Sequence, residues 1–356
     1  MKIKNISLKN ADAYLVSSTT NINYLSKFSG FSAIEREGYI LITKKRNYII
    51  TDGRYTQAVK NTVQDFEIIE ISSKNTLDYV FEKLISKNRI KTLAVEEENL
   101  TVKEYKKLLK YFKKIVGFNL DKSRSVKNKK EVALIEKACK LTDRTFEFLI
   151  KKIKVGITEK ELSEEIYYFA KRNNADISFG PIVAFGKNSA IPHHKSGNLK
   201  LESSDIILMD FGTKIDNYCS DMTRTVFFGK PTNAQKKAYN IVLRSQEKAI
   251  EFLNSGLSNK IEIKASDIDE VARNYITSQG YPSISHSLGH GIGLEVHESP
   301  RISPKSKDIL KQGMVFSIEP GIYFPEEFGI RIEDLVLIEK NKLKILTNSR
   351  KNIIEL

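Results

Sequence analysis

Cysteine is scarce in this chain of 356 residues: Cys139 and Cys219 are the only two, and neither has a CxxC or CxxxC partner. That excludes a disulfide framework and a thiolate zinc cluster, and a reducing, cytoplasmic setting is expected. Long apolar runs are missing too. No stretch approaches the ~18 apolar residues of a membrane span, so no membrane association is expected. The opening residues 1–10 interleave Lys2, Lys4 and Lys9 with isolated apolar residues, and no signal peptide is read there.

What is present fits a folded protein with more than one core. The content, 40% hydrophobic and 9% aromatic, is ordinary for a globular chain, and the length exceeds what one core usually serves, so two domains are expected. The formal charge of +14 comes from 58 basic and 44 acidic side chains. Its excess lies in the first third, where residues 1–128 hold 24 basic against 14 acidic groups, with 34 against 30 in the remainder. Lys103, Lys106, Lys107, Lys110, Lys113 and Lys114 recur at helical spacing around Leu108, Leu109 and Phe112, which reads as the solvated face of an amphipathic helix. Nucleic acid is not expected as a partner.

Short β-branched and aromatic runs alternate with helical patterns in the first third. Strands are predicted at 13–16, 38–43, 48–51 and 93–95, and helices at 75–86 and 102–114, making a small α/β domain. Residues 122–130 are polar and aperiodic and read as a linker, dividing the chain into 1–125 and 126–356. Beyond it a helix is predicted over 131–153, a second opening at the capping box of Thr158 and Glu161, and strands at 182–185, 206–211 and 222–228. The series then restarts, with helices at 233–253, capped by Thr232 and Gln235, and 266–278, ending at Gly280, and strands at 314–318 and 331–338. The near-constant displacement, a little over a hundred residues, implies two half-domains about a pseudo-twofold axis.

Each half ends in a hairpin bearing two acids. A turn centred on Ile215-Asp216 sets Asp210 opposite Asp221, and one centred on Glu326 sets Glu319 opposite Glu333. Opposed like charges on a ladder are destabilising, and two such pairs at equivalent places call for cations. All five histidines, His193, His194, His286, His290 and His297, fall within about a hundred residues around these hairpins. Three lie in the glycine-rich stretch 286–297, where glycines allow close backbone approach and positive φ. Four carboxylates with one imidazole suit two divalent ions. Oxygen-rich ligation favours manganese or cobalt, with iron and zinc also compatible.

Five segments carry a resemblance. Ile-Leu-Met-Asp-Phe-Gly at 207–212, Ser-Asp-Met-Thr-Arg-Thr at 220–225, His-Ser-Leu-Gly-His-Gly-Ile-Gly at 286–293, Ser-Ile-Glu-Pro-Gly-Ile-Tyr at 317–323 and Gly-Ile-Arg-Ile-Glu-Asp at 329–334 resemble, in order and spacing, the metal-binding segments of the pita-bread metallopeptidases. That group includes methionine aminopeptidase, aminopeptidase P and prolidase. His286 and the stretches 21–25 and 51–55 resemble the proline-specific branch, with its creatinase/prolidase N-terminal domain. The resemblance implies an α/β N-terminal domain followed by an α+β pita-bread catalytic domain. It implies Asp210, Asp221, His290, Glu319 and Glu333 as ligands of two metal ions per subunit, with Glu319 also shuttling a proton. His193 and His297 would contact the scissile carbonyl, His286 would line the substrate site, and Arg331 would support the ligands or hold a substrate carboxylate. His194 has no matched role and is read as structural or as part of the site's rim. Xaa–Pro aminopeptidase or dipeptidase activity on peptides with proline second, and a homodimer, are the implied function and assembly. The competing reading is a non-catalytic pita-bread module that binds peptides or nucleic acid.

Overall fold

The computed structural model describes residues 10–356; the stretch bearing Lys2, Lys4 and Lys9, where no signal peptide was read, lies outside the described residues. The chain forms two compact units that divide between Leu120 and Asp121.

The first unit runs β1 (Ala13–Val16), α1 (Thr19–Ser26), β2 (Gly38–Thr43), β3 (Asn47–Asp52), α2 (Thr56–Thr62), β4 (Glu67–Ile71), α3 (Leu77–Asn88), β5 (Thr92–Val95), α4 (Val102–Leu108) and β6 (Lys114–Gly117). Its six-stranded sheet has the order β4-β3-β2-β1-β5-β6. Strands β1, β2 and β3 pair antiparallel, whereas β4, β5 and β6 join in parallel. Leu15, Leu41, Ile50 and Leu93 bury one sheet face against Val80, Phe81 and Leu84 of α3. The helix expected over 102–114 stops at Leu108. Leu108 and Phe112 anchor the turn that follows, and the β-branched pair Ile115-Val116 serves better as an edge strand beside β5.

The second unit contains α5 (Asp121–Ser125), α6 (Lys129–Ile150), α7 (Glu159–Arg172), β7 (Asp176–Ile177), β8 (Ile182–Phe185), β9 (Ile206–Phe211), β10 (Thr213–Ile215), β11 (Tyr218–Cys219) and β12 (Met222–Phe227). It continues with α8 (Asn233–Ser258), α9 (Ala265–Ser278), β13 (Gly289–Gly291), β14 (Glu298–Ile302), β15 (Val315–Ile318), β16 (Gly321–Phe324), β17 (Phe328–Arg331), β18 (Asp334–Glu339) and β19 (Lys342–Ile345). Two helices followed by antiparallel strands occur twice, giving the sheets β12-β9-β8 and β14-β13-β15-β18-β19. The capping boxes at Thr158/Glu161 and Thr232/Gln235 are both formed. Strand β9 is apolar on both faces: Ile207, Met209 and Phe211 join one core while Ile206 joins the other. Such a continuous run is what a strand between two cores needs.

Residues 122–130 are not solvated throughout, as a linker would be. They form α5 and a packed turn in which Arg124 and Lys127 are buried, because acids on the adjoining β14 segment receive them. The run 331–338 is not one strand either. Strand β17 pairs with β16, and β18 pairs with β15. At the jog between them the Ile332 N–H turns to Pro320 O (3.4 Å) and the Glu333 N–H to Thr223 O (3.1 Å). Residues after Thr347 then contact both halves: Arg224 donates through Nη2 to Ser349 O (2.8 Å) and Leu356 N–H bonds Phe227 O (2.9 Å) in the first, while Lys351 Nζ lies 2.5 Å from Asp334 Oδ2 in the second.

Candidate active site

The first hairpin turns one residue later than its sequence suggests, which shifts the cross-strand pairing by two. Asp216 and Asn217 both have positive φ (48° and 69°), as a two-residue type I′ turn requires. Asp210 therefore faces Thr223 instead of Asp221. A slip of two keeps every side chain on its face, where a slip of one would reverse it, so both acids still point the same way. The second hairpin keeps the expected register: Ile318 faces Asp334 and Gly321 faces Arg331, which brackets Glu319 and Glu333 at opposed places.

These elements enclose a cavity of about 800 Å³ lined by Asp210, Asp221, His290, Glu319 and Glu333, together with His193, His286, His297, Arg301 and Arg331. Ligand atoms of Asp221, His290 and Glu333 all lie within 4.8 Å of one another. His290 Nε2 is 3.3 Å from Glu319 Oε1 and 3.7 Å from Asp221 Oδ2. Asp210 Oδ2 sits 2.5 Å from Arg331 Nη2. The glycines beside His290 do permit close approach: a Cβ on Gly289 would fall 2.0 Å from Ser317 O. Positive φ, however, is not used at Gly289, Gly291 or Gly293. His194 serves structure, its Nε2 lying 2.9 Å from Oε2 of the buried Glu159.

Burial dominates the electrostatics. It pushes Asp221 and Glu333 well above the carboxylate range, reinforced by the neighbouring acids, and raises Glu319 to about 8. Burial lowers His290 and His286 to about 4, helped by His297 and Arg331 respectively, and depresses His297 with help from His193. Acids that resist ionising beside imidazoles that resist protonation form a site arranged for an external cation. Three buried oxygens, Asp210 Oδ1, Asp221 Oδ1 and Glu333 Oε1, have no hydrogen-bond partner. Since unpaired buried acceptors are costly, these oxygens fit divalent metal ions.

Four supporting residues escaped the sequence reading. Thr223 Oγ1 donates to Glu333 Oε2 (2.7 Å) and accepts from Arg331 Nε (3.1 Å). Ser317 Oγ donates to Glu319 Oε1 (3.1 Å) and accepts from His290 N–H (3.0 Å). Arg331 Nη1 donates to the Tyr323 hydroxyl (2.9 Å), which lies 2.8 Å from His286 Nε2, while His286 Nδ1 is 2.8 Å from Ser287 O. Nδ1 facing a carbonyl must carry the proton, so Nε2 accepts from Tyr323 and His286 is held neutral. Arg301 is the fourth, on the cavity wall. Thr223 and Ser317 each lie two residues from a candidate ligand, Asp221 and Glu319, and period two was the signal that could have found them; Tyr323 and Arg301 lie beyond breaks in the strands, where that period does not carry.

Residues 133–340 match the family described as metallopeptidase family M24, and residues 3–126 match the creatinase/prolidase N-terminal domain. The chain belongs to metallopeptidase family M24. Its fold is accordingly the creatinase/prolidase N-terminal α/β domain followed by the M24 pita-bread catalytic domain. Among M24 relatives, an Xaa-Pro dipeptidase of Pyrococcus horikoshii is 36% identical over 350 residues, covering 96% of this chain and 94% of its own. The solved Xaa-Pro dipeptidase from Bacillus anthracis superposes with a TM-score of 0.91 at 32% identity, covering 100% of this chain and 98% of that one. An X-Pro aminopeptidase structure from Thermotoga maritima gives 0.87 at 35%, covering 98% and 99%. The chain is thus an M24 metallopeptidase of the prolidase and Xaa-Pro aminopeptidase group. Among the described residues no helix is long and apolar enough to cross a membrane.

Proposed function

We propose that the chain is a dinuclear-metal exopeptidase cleaving Xaa–Pro bonds, with Xaa–Pro dipeptides as its preferred substrates. The observation that carries the preference is the inequality of two arginines. Arg331 is committed to Asp210, Thr223, Tyr323 and Pro192 O. Arg301 on the same cavity wall makes a single side-chain bond, from Nε to Ser287 Oγ at 3.4 Å, and no carboxylate within ion-pair distance is found for it among the described residues. A guanidinium with open donors suits the C-terminal carboxylate of a dipeptide, so Arg331 supports the ligands while Arg301 takes the substrate.

In this reading Asp210, Asp221, His290, Glu319 and Glu333 hold two divalent ions, with manganese or cobalt favoured by the oxygen-rich set. Bound there, such ions would polarise the scissile carbonyl and acidify water. The residues supply the rest. His193 and His297 present N–H donors to the carbonyl oxygen as charge develops on it. Glu319 carries a proton from the attacking water to the departing proline nitrogen. The Xaa–Pro amide nitrogen has no N–H, so grip on the substrate falls to its carbonyl and its termini. The homodimer and the cytoplasmic setting belong to the same proposal.

The test is hydrolysis of an Xaa–Pro dipeptide, an Xaa–Pro–Yaa tripeptide and an Xaa–Ala control by manganese-loaded protein. The dipeptide is expected to be preferred, and Arg301→Ala to raise its KM about 10- to 100-fold, the worth of a charged hydrogen bond, with kcat nearly unchanged. Equal use of the tripeptide, with the dipeptide KM untouched by the substitution, would remove the dipeptidase assignment.

A further inference from the structure

His297 lies on the segment between β13 and β14, which has no regular pairing of its own. Residues 292–295 are tied by Ile292 N–H to Val315 O (3.2 Å), Gly293 N–H to Glu295 O (3.0 Å) and Cys219 N–H to Gly293 O (2.8 Å). The residues around His297 are gripped instead by side chains from 121–127, some 170 positions earlier. Arg124 Nη2 bonds the Glu295 carboxylate and lies 3.3 Å from Glu298 Oε2. Lys127 Nζ lies 2.7 Å from Glu298 Oε1, and each of those two side chains is 1% exposed. Asp121 accepts from the Ser299 N–H (3.0 Å) and hydroxyl (2.6 Å). Glu298 itself lies over Gly293, where a Cβ would stand 2.3 Å from its Oε1.

This grip brackets His297 from both sides. Buried ion pairs add little net stability compared with apolar packing of the same volume, and their best-attested use is to fix a register. A catalytic donor displaced by about 1 Å can lose about a hundredfold in rate. We propose that Arg124 and Lys127 are positioning residues for His297, acting by locking Glu295 and Glu298 on either side of it. The inference rests on the reading of His297 as a donor to the scissile carbonyl.

The test compares full-length, metal-loaded Lys127→Met, His297→Ala and their double variant. Lys127→Met is expected to lower kcat about 10- to 100-fold with KM and metal content unchanged, to add less than about twofold in the His297→Ala background, as residues acting as one unit do, and to be partly rescued by Glu298→Gln. In the metal-free protein, amide exchange should accelerate at 294–299 alone. Losses that multiply in the double variant, or exchange that accelerates throughout the unit, would overturn the inference. Full turnover by His297→Ala would instead remove the role of His297, leaving the grip itself to stand or fall on the exchange pattern. Should Lys127→Met not fold, Glu295→Gln at the more exposed partner of Arg124 is expected to show the same pattern at smaller amplitude.

Discussion

Glu319→Gln is expected to reduce turnover about 10²- to 10⁴-fold, the usual worth of a positioned proton carrier, while the protein remains folded and able to bind metal. Gln preserves the length of the side chain and one carbonyl oxygen, so the donation from Ser317 Oγ, 3.1 Å in the native site, can persist. What disappears is the ability of a carboxylate to take up a proton and release it again. Steady-state kinetics and metal analysis on the same preparation check the result. A variant with native turnover would remove Glu319 from proton transfer, and one that bound no metal would show that its ligand role dominates.

Removing metal with a chelator should abolish activity and leave a fold whose stability declines as pH rises. Burial raises the Asp221, Glu319 and Glu333 carboxyls in the metal-free fold, whereas unfolded carboxyls titrate near ~4. Between those values the folded state holds more protons than the unfolded one, so the stability these groups contribute is fully present below about pH 4. It is lost as pH climbs through the folded values, about 8 for Glu319. Divalent ions displace the same protons and bind more tightly as pH increases. The difference in Tm between loaded and stripped protein should therefore widen from pH 5 to pH 8. A constant or narrowing gap would mean that these acids are not the ones that meet the metal.

Much of this was legible in the chain. Thr158, Thr232 and their acidic or amide partners three residues on announced helix starts that the fold keeps, because capping is a local matter. The second hairpin's register followed from a turn centred at Glu326. The first failed by two because Asp216-Asn217 can take positive φ at both positions, a preference of the turn that apolar patterning does not report. The error left the site intact, since a shift of two preserves the face. The jog at Ile332-Glu333 was invisible for a different reason: it is imposed by Thr223 from the other half, and no local pattern records a partner over a hundred residues away. The burial of Arg124 and Lys127 was hidden in the same way, because a charged, aperiodic stretch looks like solvent-facing linker until Glu295 and Glu298 are placed beside it. Arg301 and Thr223 are different. The spacing of Thr223 from Asp221 was available, but nothing in the sequence marked it as more than an ordinary polar strand residue, and Arg301 follows an irregular segment across which no strand period runs.

The packing of residues 349–356 bears on how the catalytic unit comes apart. The contacts that hold Arg224 and Asp334 come from Ser349 and Lys351, and Leu356 bonds β12 through Phe227. The two halves are therefore joined by a clasp that contains none of the metal-binding acids. Loosening that clasp would let the halves part and slacken the candidate metal centre with every one of its ligands intact.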